Sequence, residues 1–193
     1  MPKRDETHMA ARRKQILDAA SASINQKGIA GMSIADISAT AGLSVGAIYT
    51  HFKSKEDILA ALIAQTNDTP VMDIFTDCKT KAATLARLKA LLHQVEQPGD
   101  ATLHGRIAIE VVALAHRSPR VHDAVETQYL DLRAAVLRQV ERLQSAPDAA
   151  AAASIGDCLL GLMLTTQLQQ LTGITPDTEV KLRAVKYLLD QIH

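Results

Sequence analysis

Apolar residues recur at every third or fourth position along most of the chain, and the breaks in that rhythm fall at glycine, proline or a hydroxyl residue. This is the pattern of amphipathic helices separated by short turns. Ile16, Leu17, Ala20 and Ile24 lie on one stripe of a first helix, and Gly28 is placed to close it. Ser33, with Asp36 three positions on, reads as a capping box at the start of a short helix that ends at Gly42. Ser44 opens a third helix through Phe52, and Ser54 with Asp57 opens a fourth.

The later starts repeat one device. Thr69-Pro70, Ser118-Pro119 and Thr175-Pro176 each set a capping hydroxyl before a proline suited to the first helical position. Pro98-Gly99-Asp100 makes a loop and a further cap, and Gly173 ends the run that begins at Asp148. The spacing predicts about nine helices, near 9–27, 34–41, 45–52, 55–68, 70–96, 101–117, 119–144, 148–172 and 176–192. Pro70 either kinks one long helix or separates two. The expected fold is all-α: a three-helix head over residues 1–54 and a helical body over residues 55–193.

The head has a further signature. Two short helices meet at Ala41-Gly42-Leu43-Ser44, while Ile34, Ile37, Leu43, Ile48 and Phe52 can share a core with the first helix. That is the plan of a helix-turn-helix, whose second helix enters the DNA major groove. At 100° per residue Ile48 and Phe52 point inward with Val45 beside them, leaving Gly46, Ala47, Thr50 and Lys53 outward and Tyr49 and His51 on the flanks. Small residues allow close approach to base edges, and the flanking polar groups suit phosphate oxygens. Direct readout from this face leans on thymine methyl groups and backbone approach. Arg4, Arg12 and Arg13 offer either a minor-groove reach or unspecific attraction to phosphate.

Charge agrees with a nucleic-acid head. The net formal charge is zero, yet residues 1–55 hold eight Lys/Arg against four Asp/Glu, and the remainder thirteen against seventeen. Two cysteines, Cys78 and Cys158, supply neither a disulfide framework nor a metal site, and His93, His104, His116 and His122 show no ligand spacing. No cofactor or metal is expected. The N-terminus lacks an apolar signal region, and the uncharged apolar runs read as too short for a membrane span, so a cytoplasmic protein with no membrane partner is expected.

Residues Ser33 to Leu59, with the core Gly46-Ala47-Ile48-Tyr49-Thr50-His51-Phe52-Lys53-Ser54-Lys55, resemble the signature of the TetR family of regulators. The likeness covers about residues 10–60. It implies that Tyr49, His51 and Lys55 contact phosphates, that Val45, Gly46, Ala47 and Thr50 face bases, and that Ser33 and Ser44 hold the DNA backbone through their helix starts. It also implies a four-helix dimer bundle built from the two C-terminal helices of each subunit. The stretch Ile107–Tyr129, around His116-Arg117-Ser118-Pro119, loosely resembles the BetI-type branch.

The body carries two further expectations. Between Ile155 and Leu171 apolar residues surround the helix, among them Leu160, Leu164 and Leu168, and the last helix shows a seam of Leu182, Val185, Leu189 and Ile192. These seven residues are the expected homodimer interface; packing within the subunit is the alternative. Phe75, Ile107, Val111, Leu114, Tyr129, Leu132 and Met163 are the candidate lining of a cavity for a small-molecule effector. Glu110 interrupts this apolar set. It either pairs with Arg106 one turn earlier or faces the cavity and favours a cation.

With the resemblance, these features imply a TetR-type repressor. It would bind a pseudo-palindromic double-stranded operator as a dimer and be released by an effector. An activator or a ligand-independent DNA binder of the same fold is the alternative. No glycine-rich phosphate loop, nucleophile elbow or paired-acid motif occurs, which argues against an enzyme.

Overall fold

The computed structural model describes residues 3–68, 75–96 and 100–193. Among them are nine helices and no strand: α1 Lys3–Gly31, α2 Ile34–Ala41, α3 Val45–His51, α4 Lys55–Asp68, α5 Lys81–Glu96, α6 Asp100–Ala115, α7 Pro119–Leu143, α8 Ala149–Leu171 and α9 Thr178–Asp190. The all-α expectation holds. Pro70 and Pro98-Gly99 lie outside the described residues.

Most helix starts are made by the side chains expected of them. Ser33 and Asp36 form a reciprocal capping box, and the Ser44 hydroxyl accepts from the Ala47 amide at 3.1 Å. Ser54 accepts from the Asp57 amide at 3.1 Å, and Ser118 from Val121 at 3.4 Å. Two starts differ. α5 begins at Lys81, where Thr80 accepts from the Ala83 amide, after a turn at residues 75–77. α9 is capped by Asp177, not Thr175, because the Asp177 carboxylate reaches the Val180 amide at 2.9 Å.

The chain divides into two compact units, one of Met1–Gln65 with Arg106–Glu126, the other of Thr66–Gly105 with Thr127–His193. A boundary at 54/55 therefore falls inside the first unit. In that unit Ile16, Ala20 and Ile24 of α1 pack with Ile37, Ile48, Phe52, Ile58, Leu59 and Val121, all fully or nearly fully buried. Burying each large aliphatic side chain contributes about 1.5–3 kcal/mol, so these few residues fix the placement of three short or broken helices.

α1 is not continuous. Gly28 sits at φ 73°, ψ 173°, a region open essentially to glycine alone, and one further turn follows it. The Glu110 carboxylate of α6 accepts from the amides of Ile29 at 2.7 Å and Ala30 at 3.2 Å. A helix that restarts leaves its first amides without intrahelical acceptors. Glu110 supplies them, which accounts for an acid in the apolar run Ile107–Ala115.

In the second unit Phe75, Leu88, Val136, Val140, Ile155, Leu159, Leu160, Val185, Leu189 and Ile192 form one core. Gln139, fully buried in α7, donates to the Cys78 carbonyl at 2.7 Å and the Thr84 hydroxyl at 2.8 Å. Arg133 and Asp157 pair in a bidentate fork at 2.7 and 2.8 Å; the fork holds the Asp157 carboxyl below its ordinary range. By length and composition the α8 window Ala149–Thr166 is long and apolar enough to cross a membrane, contrary to the expectation above. Its Ala152, Ile155, Leu159 and Leu160 instead pack in this core, and Asp157 within it is ion-paired.

Candidate nucleic-acid interface

α2 and α3 are joined by a turn fixed at both ends. Gly42 takes the left-handed conformation at φ 63°, and its amide donates to the Ser38 carbonyl. The Ser38 hydroxyl donates to the Leu43 carbonyl at 2.5 Å, and the Gln15 amide of α1 donates to the Ala41 carbonyl at 2.7 Å. The two helices are thus tied to each other and to α1 by polar contacts as well as by the buried Ile37 and Ile48.

That tie decides which face of α3 looks outward. Val45 and Tyr49 are exposed, at 42% and 51%, and so are Gly46 and Thr50. Nothing but the Ser44 hydroxyl, 3.9 Å away, lies within 4 Å of where a side chain at Gly46 would begin. Ala47 is half-buried, and the Thr50 hydroxyl donates to its carbonyl at 2.7 Å. The outward face therefore presents a valyl group, a bare backbone stretch, a threonine methyl and a phenol. His51 is half-buried; its carbonyl accepts from the Arg13 guanidinium at 3.4 Å.

Other candidate groups have partners that the sequence does not announce. Lys55 is half-buried and donates to the Ile29 carbonyl at 2.6 Å. Arg13 lies over the Phe52 ring, and Arg12 donates to Gln15 at 2.9 Å. At the Ser33 corner Asp36 takes hydrogen bonds from Lys27 at 2.5 Å and from the Ser33 hydroxyl at 2.6 Å. These, Lys27 first, lower its carboxyl from 3.8 to about 2.

The candidate effector residues are split between the units. Ile107, Val111 and Leu114 pack on the core of the first. Phe75, Leu132 and Met163 belong to that of the second, and Tyr129 is exposed. Glu110 belongs with Ile29 and Ala30, as described.

The expected dimer seam needs correction. Leu160, Val185, Leu189 and Ile192 are 2% exposed, packed in the second unit's own core, and Leu182 is buried too. Side chains already covered inside one subunit have no surface to offer a second. Leu164 and Leu168 do: they are 48% and 54% exposed, alongside Ile174, Val180 and Tyr187.

A short exposed helix held against its partner across a glycine turn, with a buried rear face and a small-residue front, defines a helix-turn-helix DNA-binding head. Residues 16–62 match the family described as bacterial regulatory proteins, tetR family. A transcriptional repressor of Mycobacterium tuberculosis, Rv1474c, is 37% identical over 68 residues, 35% of this chain and 36% of that protein. The transcriptional regulator BetI of Pectobacterium carotovorum is 28% identical over 51% of this chain and 67% of its own. The chain spans only about a third of the length of the Rv1474c repressor and of two further curated relatives it matches. The fold extends further: a TetR transcription regulator from Haloarcula marismortui superposes with TM-score 0.74 over 95% of this chain and 98% of that one, at 17% identity. The head at residues 16–62 therefore matches the TetR family of transcriptional regulators, and the fold of the chain is that of solved TetR-family regulators.

Proposed function

We propose that the protein is a cytoplasmic homodimeric repressor that binds a pseudo-palindromic operator and leaves it when a small-molecule effector binds. The observation that carries the reading is the outward face of α3. Val45, Gly46, Tyr49 and Thr50 are exposed on a helix whose rear residue, Ile48, is fully buried. Tyr49, His51 and Lys55 serve as phosphate contacts, and Val45, Gly46, Ala47 and Thr50 face bases. The head contacts remaining to Ser33 and Ser44 are made through the amides at their helix starts.

Dimerisation follows from what the DNA requires. Two heads about one helical turn apart, roughly 34–36 Å, read two half-sites. The subunit's exposed leucines on α8, with Val180 and Tyr187 of α9, supply the apolar surface for it. Repression rather than activation is supported by the relative named as a repressor. The test is selection of genomic fragments by purified protein, followed by a mobility shift and transcription from the selected promoter. Fragments sharing an inverted repeat, and lower transcription with protein present, are expected. Failure to retain any fragment would reject the reading.

A further inference from the structure

The Ile29 residue is gripped from both sides. Its amide donates to the Glu110 carboxylate of α6 at 2.7 Å, and its carbonyl accepts from the Lys55 ammonium of α4 at 2.6 Å. Its side chain is buried, and the preceding residue is Gly28, where an added Cβ would stand 3.1 Å from the Glu110 carboxylate. The first turn of α4 is held a second time, because Arg120 of α7 donates to Asp57 at 3.1 Å while Asp57 accepts from the Lys53 amide at 3.2 Å. Arg120 of α7 thus holds the start of α4 directly, while Glu110 of α6 clasps the Ile29 turn to which Lys55 donates.

We infer that Glu110 is a positioning residue for DNA binding, acting through the Ile29 peptide groups on Lys55; this rests on the DNA-binding reading above. The carboxylate holds two otherwise unmet amides and so fixes the turn that carries the Ile29 carbonyl. That carbonyl occupies one of the three donors of the Lys55 ammonium and holds the flexible side chain in one direction, leaving two donors for a phosphate. Without Glu110 the turn relaxes, the carbonyl moves, and Lys55 meets DNA unordered. The electrostatic expectation is opposite in sign: removing a negative charge beside a polyanion's site, with no positioning role, tightens binding.

The experiment is a double-mutant cycle with Glu110→Ala and Lys55→Ala, read as affinity for a DNA fragment selected by the unmodified protein, at several salt concentrations. In the unmodified background Glu110→Ala weakens binding by roughly tenfold and lowers the salt slope by about one per lost phosphate contact. In the Lys55→Ala background the same change leaves affinity equal or slightly tighter. An equal loss in both backgrounds, or tighter binding in both, overturns the inference. Glu110→Gln keeps the side-chain volume and tests the clasp without DNA: amide exchange at Ile29 and Ala30 accelerates by about tenfold, since a neutral acceptor replaces a charged one. Unchanged exchange there overturns the clasp. If the unmodified protein retains no DNA fragment, the proposed function fails on its own, and the exchange measurement still decides the clasp.

Discussion

The Arg13 guanidinium of α1 lies 4.2 Å from the centroid of the Phe52 ring, which closes α3. This stacks a basic residue of the first helix on the last apolar anchor of the helix-turn-helix. The same guanidinium donates to the His51 carbonyl. Since Arg13 is exposed, the cation–π contact contributes about 0.5–1 kcal/mol. Arg13→Ala should lower stability by about that amount in urea denaturation, and Arg13→Lys should recover part of it.

On the proposed function, DNA contacts divide into two kinds. Lys55→Ala and His51→Ala should weaken binding to every sequence alike and flatten its salt dependence. A protein making about 6–10 phosphate contacts loses roughly 10³–10⁵ in affinity between 50 and 200 mM salt. Changes at Ala47 or Thr50 should instead alter the preference among operators. Binding curves on two operator variants across salt concentrations separate the two kinds.

The correction to the dimer seam has a sharp consequence. Leu164→Glu and Leu168→Glu, at exposed sites of α8, should give folded monomers with weakened operator binding. Val185→Glu and Leu189→Glu strand a charge in the subunit's own core, so several kcal/mol of stability is lost and the subunit unfolds. Sedimentation and circular dichroism distinguish the outcomes. Folded monomers from the second pair would return the interface to α9's inner face.

Asp36 links the head to acid. Its carboxyl is lowered to about 2, chiefly by Lys27 and then by Ser33. A group depressed on folding adds stability above its unfolded value, near 3.8, and loses it as pH falls through its folded value. The loss therefore falls between about pH 4 and 2. Lys27→Met should move the carboxyl back toward its ordinary range, so the decline becomes smaller and ends at higher pH; carboxyl chemical shifts against pH check this.

Gly28→Ala should destabilise the first unit by about 1–3 kcal/mol, because its φ of 73° and ψ of 173° suit only glycine. Thermal unfolding measures it. A neutral substitution would mean that the turn after Gly28 can straighten.

What was legible in the sequence was local. The hydroxyl caps of α2, α3, α4 and α7 act within three residues, so Ser33, Ser44, Ser54 and Ser118 could be read directly. α9 shows the limit: its apolar stripe declares that Val185 and Leu189 are covered, yet periodicity carries no label for what covers them. Thr175-Pro176 has the pattern of a cap, but Asp177, two residues on, is the group that reaches the Val180 amide. Glu110 is the harder case. Its partner Ile29 is 81 residues away, and a backbone amide leaves no mark in a side-chain pattern.

Gly46 stands inside α3, where alanine would be favoured by up to about 1 kcal/mol, and no neighbouring atom crowds the place its methyl would take. The head is therefore less rigid at this point than its own packing permits. Nothing among the described residues rewards that omission, which agrees with the proposed reading that α3 meets an outside surface. The same vacancy leaves room for innovation: a side chain can be added at position 46 without repacking the head, and on the proposed reading such a substitution would act on operator preference alone.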